Sequence, residues 1–213
     1  LASNRSQWID TFYQQKGFLI AGPAAPDSWC YNTNLLPLPF DLPQAKKLRA
    51  AAGAGPITFK LIVSNDRPSQ DPSMINSYKT ALQALDVNIN IVTLEPLVFE
   101  ETLQKGDFDI AFQEYTLSYG YNYRPLFESD GELNFGNYKN AELDTILEQM
   151  RIEGDFEKIR ALANKSQEII AFFETSAVEI AQEQILLRNS AGKTWPLKND
   201  FVFAMTGYRP DLE

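Results

Sequence analysis

The sequence predicts an α/β fold in which a mixed, largely parallel β-sheet is flanked by helices. Residues 57–115 give apolar patterns in the order strand, helix, strand, helix, strand, which is typical of crossover connections between parallel strands. The composition, 44% hydrophobic and 22% charged, is that of a globular protein with a real core. We therefore predict a single α/β lobe over residues 1–213, made of an irregular first segment (1–42), a core of helices and strands (43–176) and returning strands with a C-terminal tail (177–213).

The first segment is predicted to hold a short helix over residues 5–16 and then an irregular loop. Residues 17–43 are rich in Pro, Gly and Asn, which favour turns over regular structure. Trp29 lies among the prolines, so we expect the loop to pack against the rest of the protein. A helix follows over residues 44–52, which are rich in Ala, Lys and Leu, and Gly53 ends it.

Three strands are predicted in the core. β-branched and aromatic residues alternate over residues 57–64 and again over 87–92, which is the period of a strand. Residues 108–115 give the third strand. Between the strands, Pro72 begins a helix that Asp71 caps, and a shorter helix over residues 99–105 ends at Gly106.

The C-terminal half is predicted to begin with two helices and to return to the sheet. Asn140 and Asp155 are each followed by an apolar stripe at helical spacing, so we expect each to cap a helix. Residues 177–187 are predicted to be extended and able to join the sheet, and residues 201–203 to form a last short strand.

Composition excludes several classes of function. A net charge of -9 opposes the phosphate neutralisation that nucleic-acid binding needs. The sequence has no histidine, which excludes Ser-His-Asp, Cys-His and HExxH sites, and it has one cysteine, Cys30, which we expect to serve packing. We predict no cofactor and no metal site. The first ten residues lack the basic and apolar regions of a signal peptide.

Three segments resemble, in order and spacing, a known family signature. They are FDLPQAKKL at residues 40–48 followed by Ala52-Gly53, a helix and strand leading into KGDFD at 105–109, and NFGNYKNAELD at 134–144. Together they resemble the bacterial extracellular solute-binding protein family 5, the oligopeptide-, dipeptide- and nickel-type binding components of ABC transporters. The resemblance extends from about residue 5 to about residue 203.

The resemblance implies a lobe of a two-lobed, periplasmic-binding-protein-like (type II) fold. In that family two lobes close over a ligand, and the segments matched here belong mostly to the second lobe, so we expect the chain to be a fragment of a longer protein. The implied function is substrate binding without chemistry, outside the cytoplasm, in the periplasm or as a cell-surface lipoprotein. The implied partners are a small-molecule, oligopeptide or oligosaccharide ligand and the membrane permease, and we expect the isolated lobe to self-associate.

The predicted ligand contacts cluster after the third strand, because ligands of α/β sheets bind at the carboxyl ends of strands. Tyr side chains there offer flat apolar area with a hydroxyl at the tip, although several of them could instead pack the loop. Trp29 is either a cleft residue or an anchor of its loop, and Arg124 either meets an anionic group or lies on a solvated face. The predicted contacts are Tyr115, Thr116, Ser118, Tyr119, Tyr121, Trp29 and Arg124.

Peptide-binding relatives carry an Asp that pairs with the ligand's α-amino group, and Ser118 stands at the matching position. A hydroxyl cannot neutralise an ammonium, so neutral ligands such as oligosaccharides or modified peptides gain ground. The alternatives to a solute receptor are a ligand-sensing domain of a regulator and a carboxylate-based glycan hydrolase. No acid pair is singled out for hydrolysis; we expect turn, capping and surface roles for Asp107, Asp109, Glu142 and Asp144.

Overall fold

The computed structural model describes residues 1–51, 55–66, 72–113, 115 and 122–171, and the backbone of three later strands. The chain divides into two compact units. Unit 1 comprises Leu1–Lys16, Pro39–Glu114 and Glu174–Thr206, and unit 2 comprises Gly17–Leu38, Tyr115–Phe173 and Gly207–Glu213. That these two units together form a single lobe stays a prediction from the sequence. Among the described residues, no helix combines the length and apolar character needed to span a bilayer.

Unit 1 is built on a parallel sheet whose strand order is β2-β1-β3. β1 pairs with β2 from Ile57↔Val87 to Ser64↔Leu94. The order of elements confirms the predicted α/β fold class, with helices flanking the sheet. The elements are α1 (Arg5–Phe12), α2 (Leu42–Ala51), β1 (Ile57–Ser64), α3 (Pro72–Gln83), β2 (Val87–Leu94), α4 (Pro96–Lys105) and β3 (Ile110–Ala111).

The core of unit 1 joins α1 and α3 to the sheet through aromatic side chains. The rings of Trp8 and Tyr78 meet edge to face at 6.0 Å, and those of Tyr78 and Phe112 at 5.6 Å. Trp8 Nε1 donates to Ser77 Oγ at 2.9 Å, so the buried indole keeps a polar partner. Burial raises the pKa of Tyr78 to about 12, because the charged phenolate would lose its hydration.

The third strand is shorter than predicted: residues 108–115 were expected to be extended, and among the residues of this range that the structure describes only Ile110–Ala111 is strand. The Asp109 carboxylate accepts the Lys60 N–H at 2.6 Å and thereby takes the donor that a longer ladder would use. Ile110 and Phe112 are buried at 1% and 5% exposure, which explains the apolar alternation. The alternation therefore reports which face is buried, and the number of paired residues is set by the neighbouring strand.

The part of unit 2 that the structure describes contains three helices and the irregular loop of residues 17–38. Both predicted caps are confirmed: Asn140 Oδ1 accepts from Leu143 N at 3.0 Å, and Asp155 Oδ1 accepts from Lys158 N at 3.1 Å. The sequence did not predict the short first helix. The helices are α5 (Arg124–Phe127), α6 (Ala141–Ile152) and α7 (Phe156–Ile170).

The loop of residues 17–38 is irregular, as predicted, and polar side chains hold it to α7. Gln167 Nε2 donates to the Cys30 carbonyl at 2.7 Å and to the Ala163 carbonyl at 3.1 Å. Asn32 Nδ2 donates to the Asn164 carbonyl at 3.2 Å. The Cys30 carbonyl lies in a loop without a helix or strand ladder, so the Gln167 amide supplies a donor that regular structure would otherwise give. Cys30 is fully buried, which confirms its packing role.

The C-terminal strands form a separate sheet, which corrects the prediction that residues 177–187 extend the central one. β4 (Thr175–Ile180), β5 (Gln184–Asn189) and β6 (Thr194–Lys198) pair antiparallel in the order β4-β5-β6. Two strands joined by three residues pair most readily with each other, whereas joining a parallel sheet needs a long crossover. Asp71, Gly53 and the strand predicted at residues 201–203 lie outside the described residues.

Candidate ligand-binding region

The tyrosine-rich segment, residues 115–123, lies where the sequence predicts ligand contacts. The structure describes its two ends, Tyr115 and Tyr123 with Asn122, and also the predicted contacts Trp29 and Arg124. The predicted contacts Thr116, Ser118, Tyr119 and Tyr121 lie outside the described residues.

Both described tyrosines of this segment pack on one hydrophobic cluster of unit 2. Tyr123 is 1% exposed within it, and the partly buried Tyr115 packs against the same cluster. The Tyr123 ring meets the Phe127 ring edge to face at 6.4 Å. The segment thus begins and ends on the same apolar surface, whose other buried members are Leu126, Leu143, Leu147 and Ile170.

Arg124, the first residue of α5, is bound by two carboxylates. Its Nε and Nη2 donate to the two carboxylate oxygens of Glu128 at 3.1 and 2.8 Å, and Nη2 lies 3.5 Å from Glu148 Oε2. The hydrogen bond to Glu128 is the main reason that the pKa of Arg124 is raised. An anionic ligand group would have to compete with these carboxylates, so contact between Arg124 and a ligand stays a prediction.

Trp29 anchors its loop to α7. Its ring packs against the Phe156 ring at 5.3 Å with an interplanar angle of 48°. It also borders the small buried cluster of Ala24, Cys30 and Ala163. This packing fits the anchoring interpretation, and contact between Trp29 and a ligand stays a prediction. Phe156 is 53% exposed, so one face of this aromatic pair reaches solvent.

The turn between α5 and α6 is held by side chains from the NFGNYKNAELD motif. Asn134 Nδ2 donates to the carbonyls of Glu128 and Tyr138 at 3.0 and 2.8 Å, and its Oδ1 accepts from Tyr138 N at 3.0 Å. The Asp144 carboxylate accepts from Ser129 N at 2.8 Å and from Ser129 Oγ at 2.6 Å. The motif is therefore structural: it fixes α5 and, with it, the end of the tyrosine-rich segment.

Gly131 allows this turn to close on α5. A Cβ atom at this position would lie 2.4 Å from the Pro125 carbonyl oxygen and 2.8 Å from that of Arg124. Both neighbours are backbone atoms, which cannot move aside as a flexible side chain could. Any other residue at position 131 would push α5 away from the turn.

The acids considered for chemistry all have structural partners, as expected. Asp107 pairs with Lys60 at 2.8 Å, and Glu142 pairs with Lys165 at 2.8 Å. Asp109 and Asp144 accept backbone N–H groups. Among the described residues, no three His, Cys, Asp or Glu side chains are grouped to hold a metal ion.

Polar residues that the sequence analysis does not include among the ligand contacts lie at the carboxyl ends of β1 and β2. Asn65 Nδ2 donates to Glu95 Oε1 at 2.6 Å, and Ser64 Oγ donates to the Asp66 carboxylate. Ligands of α/β proteins bind at this edge of a parallel sheet. The signal was present in the sequence, because polar residues follow both predicted strands directly.

Residues 1–136 match the model of a family described as bacterial extracellular solute-binding proteins, family 5 Middle. The chain belongs to this family. The match includes β1, β2, β3 and the tyrosine-rich segment, and it confirms the family resemblance; the first two motifs lie within the matched residues, and the third begins at their end. No curated protein matches the chain in sequence.

Solved structures share the fold of this family 5 chain. DppA from Helicobacter pylori in complex with the peptide STSA is 22% identical, with a TM-score of 0.70, over 80% of this chain and 34% of that one. NikA from Staphylococcus aureus in complex with Ni(L-His)2 is 20% identical, with a TM-score of 0.71, over 80% and 37%. HbpA2 from Haemophilus parasuis is 21% identical, with a TM-score of 0.72, over 80% and 35%. The chain thus spans about a third of the length of these structures.

Proposed function

We propose that this chain is part of the substrate-binding component of an ABC importer and helps to close over a peptide-like or other small polar solute without chemistry. The observation that carries the proposal is the family 5 match over residues 1–136, which includes the parallel sheet and the tyrosine-rich segment that follows it. In this proposal the protein works outside the cytoplasm, in the periplasm or as a cell-surface lipoprotein, and delivers its ligand to a membrane permease.

Most of the proposed contacts follow the third strand in the sequence, and Trp29 comes from the loop of residues 17–38. A mixed-polarity solute suits tyrosines, because each offers an apolar ring face and a hydroxyl for hydrogen bonding. Ser64 ends β1 and Asn65 follows it, so both lie at the carboxyl end of a parallel strand, where ligands of α/β sheets bind. The contacts proposed from the sequence remain Tyr115, Thr116, Ser118, Tyr119, Tyr121, Trp29 and Arg124.

The chemistry at position 118 favours a solute without a free α-amino group. An ammonium removed from water needs a carboxylate partner, and Ser118 supplies only a hydroxyl. Blocked peptides and neutral oligosaccharides carry no ammonium group and therefore need no carboxylate partner. Binding without chemistry is supported by the absence of histidine from the sequence and by the structural partners of Asp107, Asp109, Glu142 and Asp144.

A thermal-shift screen of the product of the complete reading frame tests the proposal. The probes are tetra-alanine, N-acetyl-tetra-alanine, maltotriose and a nickel–histidine complex, because a ligand that binds only the folded state raises its melting temperature. We expect a concentration-dependent rise with N-acetyl-tetra-alanine or maltotriose, and mass spectrometry to recover the probe intact. Melting temperatures that no probe changes, or hydrolysis of a probe, would contradict the proposal.

A further inference from the structure

Trp29 and Phe156 form an aromatic surface at the start of α7 that is open on one side. Their rings pack at 5.3 Å with an interplanar angle of 48°. Phe156, the first residue of α7, is 53% exposed. Gly154, two residues earlier, adds no bulk, and a Cβ atom there would meet nothing within 4 Å. The pair therefore presents a flat apolar area that a ligand can reach.

The loop that carries Trp29 is fixed to α7 by buried hydrogen bonds. Gln167, at 1% exposure, donates from Nε2 to the carbonyl of Cys30, the residue that follows Trp29. Asn32, also at 1% exposure, donates from Nδ2 to the Asn164 carbonyl. Because the donors are buried, water cannot take their place. A ligand that stacks on Trp29 would thus meet a loop that is already ordered, which favours affinity.

Two carboxylates lie just before Phe156 in the chain. Glu153 Oε1 accepts from the N–H groups of Gly154 and Asp155, both at 2.9 Å. Asp155 Oδ1 accepts from Lys158 N at 3.1 Å. The second oxygen of each carboxylate forms no hydrogen bond with a residue that the structure describes. Each carboxylate can therefore accept a hydrogen bond from a hydroxyl group of a ligand.

The charges beside the aromatic surface are nearly balanced. Residues 148–160 contain four acids and three bases. Arg151 pairs with Glu148 at 2.5 Å, and Arg160 pairs with Glu157 at 2.6 Å. The other two acids accept backbone N–H groups at the start of α7, where the helix dipole favours negative charge. This balance favours an uncharged ligand over an ammonium or a phosphate.

We propose that Trp29 and Phe156 bind the ring of a neutral carbohydrate, whose hydroxyl groups donate to Glu153 and Asp155. A sugar ring suits this surface because its C–H face can lie on an aromatic ring while the hydroxyl groups at its edge need hydrogen-bond partners. The inference rests on the proposed function, in which Trp29 is a ligand contact. It adds Phe156 to the contacts and names an oligosaccharide as the solute.

Calorimetric titration of the product of the complete reading frame tests the choice of solute. The probes are maltotriose, cellotriose and N-acetyl-tetra-alanine. We expect at least one trisaccharide to bind saturably. Binding of the acetylated peptide without binding of either trisaccharide would overturn the inference and leave the proposed function standing. Binding of none of the three would contradict the proposed function as well.

The variant Phe156→Ser tests the surface, and Phe40→Ser is its matched control, because Phe40 is 50% exposed in unit 1. Both side chains are exposed, so both variants should fold, and circular dichroism checks this. We expect Phe156→Ser to weaken trisaccharide binding about tenfold, because an aromatic ring contributes much of a contact's free energy, and Phe40→Ser to bind as wild type does. Equal affinities of the two variants would overturn the inference.

Fluorine NMR of protein labelled with 5-fluorotryptophan locates the bound sugar. The Trp29 signal is assigned by its loss in Trp29→Phe. We expect this signal to shift when the trisaccharide saturates the protein, and the signal of Trp8, which is 4% exposed in the core of unit 1, to stay in place. A trisaccharide that binds without shifting the Trp29 signal would place the sugar elsewhere and overturn the inference, while the proposed function would remain.

Discussion

The two units satisfy their buried backbone by different means. In unit 1 the N–H and C=O groups of β1 and β2 pair with each other along eight residues of parallel ladder, and apolar side chains cover the sheet. In unit 2 the loop of residues 17–38 and the turn before α6 rely on buried amides, above all Gln167 and Asn134. We therefore expect the stability of unit 1 to fall when apolar volume is lost, and that of unit 2 to fall when single polar atoms or one glycine are replaced.

Substitution in the sheet of unit 1 should destabilise the protein most. Leu61 is fully buried in β1, so Leu61→Ala should lower the free energy of unfolding by about 3 kcal/mol through lost burial and the cavity left behind. Leu97→Ala is the control, since Leu97 is 73% exposed on α4. Urea denaturation followed by circular dichroism measures both. A Leu61→Ala variant as stable as Leu97→Ala would mean that the sheet is not the core of unit 1.

The next effect concerns Gly131 in unit 2. Gly131→Ala should destabilise by about 2 kcal/mol, because the new Cβ overlaps backbone carbonyls of α5. Gly154→Ala is the matched control: a Cβ there meets nothing within 4 Å, so it should be neutral or stabilise by up to about 1 kcal/mol. Equal effects of the two substitutions in thermal unfolding would contradict the close approach described for Gly131.

Substitution of Asn134 tests whether hydrogen bonds or apolar packing hold the turn between α5 and α6. Asn134→Leu keeps the apolar bulk but removes one acceptor and two donated hydrogen bonds, and we expect a loss of about 1.5 kcal/mol. Asn76→Leu on the exposed side of α3 controls for the substitution itself. Should Asn134→Leu unfold at the same urea concentration as wild type, packing alone would account for the turn.

The smallest effect is a pH dependence in unit 1. The pKa of Tyr78 is raised from 10.0 to about 12 in the folded state, so its contribution is fully present below pH 10 and is lost as the pH rises towards 12. By pH 10.5 the loss should reach about 0.8 kcal/mol, and Tyr78→Phe should lack this part of the slope. Urea titrations from pH 8 to 10.5 measure it, and parallel slopes for the two proteins would contradict the burial of the hydroxyl.

The same contrast explains how much of the fold the sequence could predict. β1 and β2 were predicted because alternation marks a strand buried on a sheet, and the caps Asn140 and Asp155 because each precedes a helical stripe. The predictions of a longer β3 and of a central-sheet partner for residues 177–187 were wrong, because strand pairing depends on the neighbouring strand as well as on the strand's own residues. α5 was missed because four residues are too few to show a helical period.

The candidate site stays a prediction from the sequence, whereas the contacts that surround it come from the structure. Tyr residues that follow a strand predict this region, because ligands of α/β sheets bind at the carboxyl ends of strands. Two hydrogen-bonded pairs join residues far apart in the sequence: Tyr123 and Ser166 are 43 positions apart, and Gln167 and Cys30 are 137 apart. Local sequence patterns cannot predict contacts over such separations. Asn134 and Asp144 were recognised in a family-like motif, yet only the structure shows that they hold the turn against α5.

In the proposed function, the tyrosine-rich segment of this chain helps to bind a small polar solute. Isothermal titration calorimetry of the complete protein with N-acetyl-tetra-alanine and maltotriose tests it most directly, comparing wild type with Tyr119→Ala and with Leu97→Ala as a surface control. We predict saturable binding of at least one probe, weakened at least about tenfold by Tyr119→Ala and unchanged by Leu97→Ala. Binding that survives Tyr119→Ala at full strength, or the absence of binding to wild type, would contradict it.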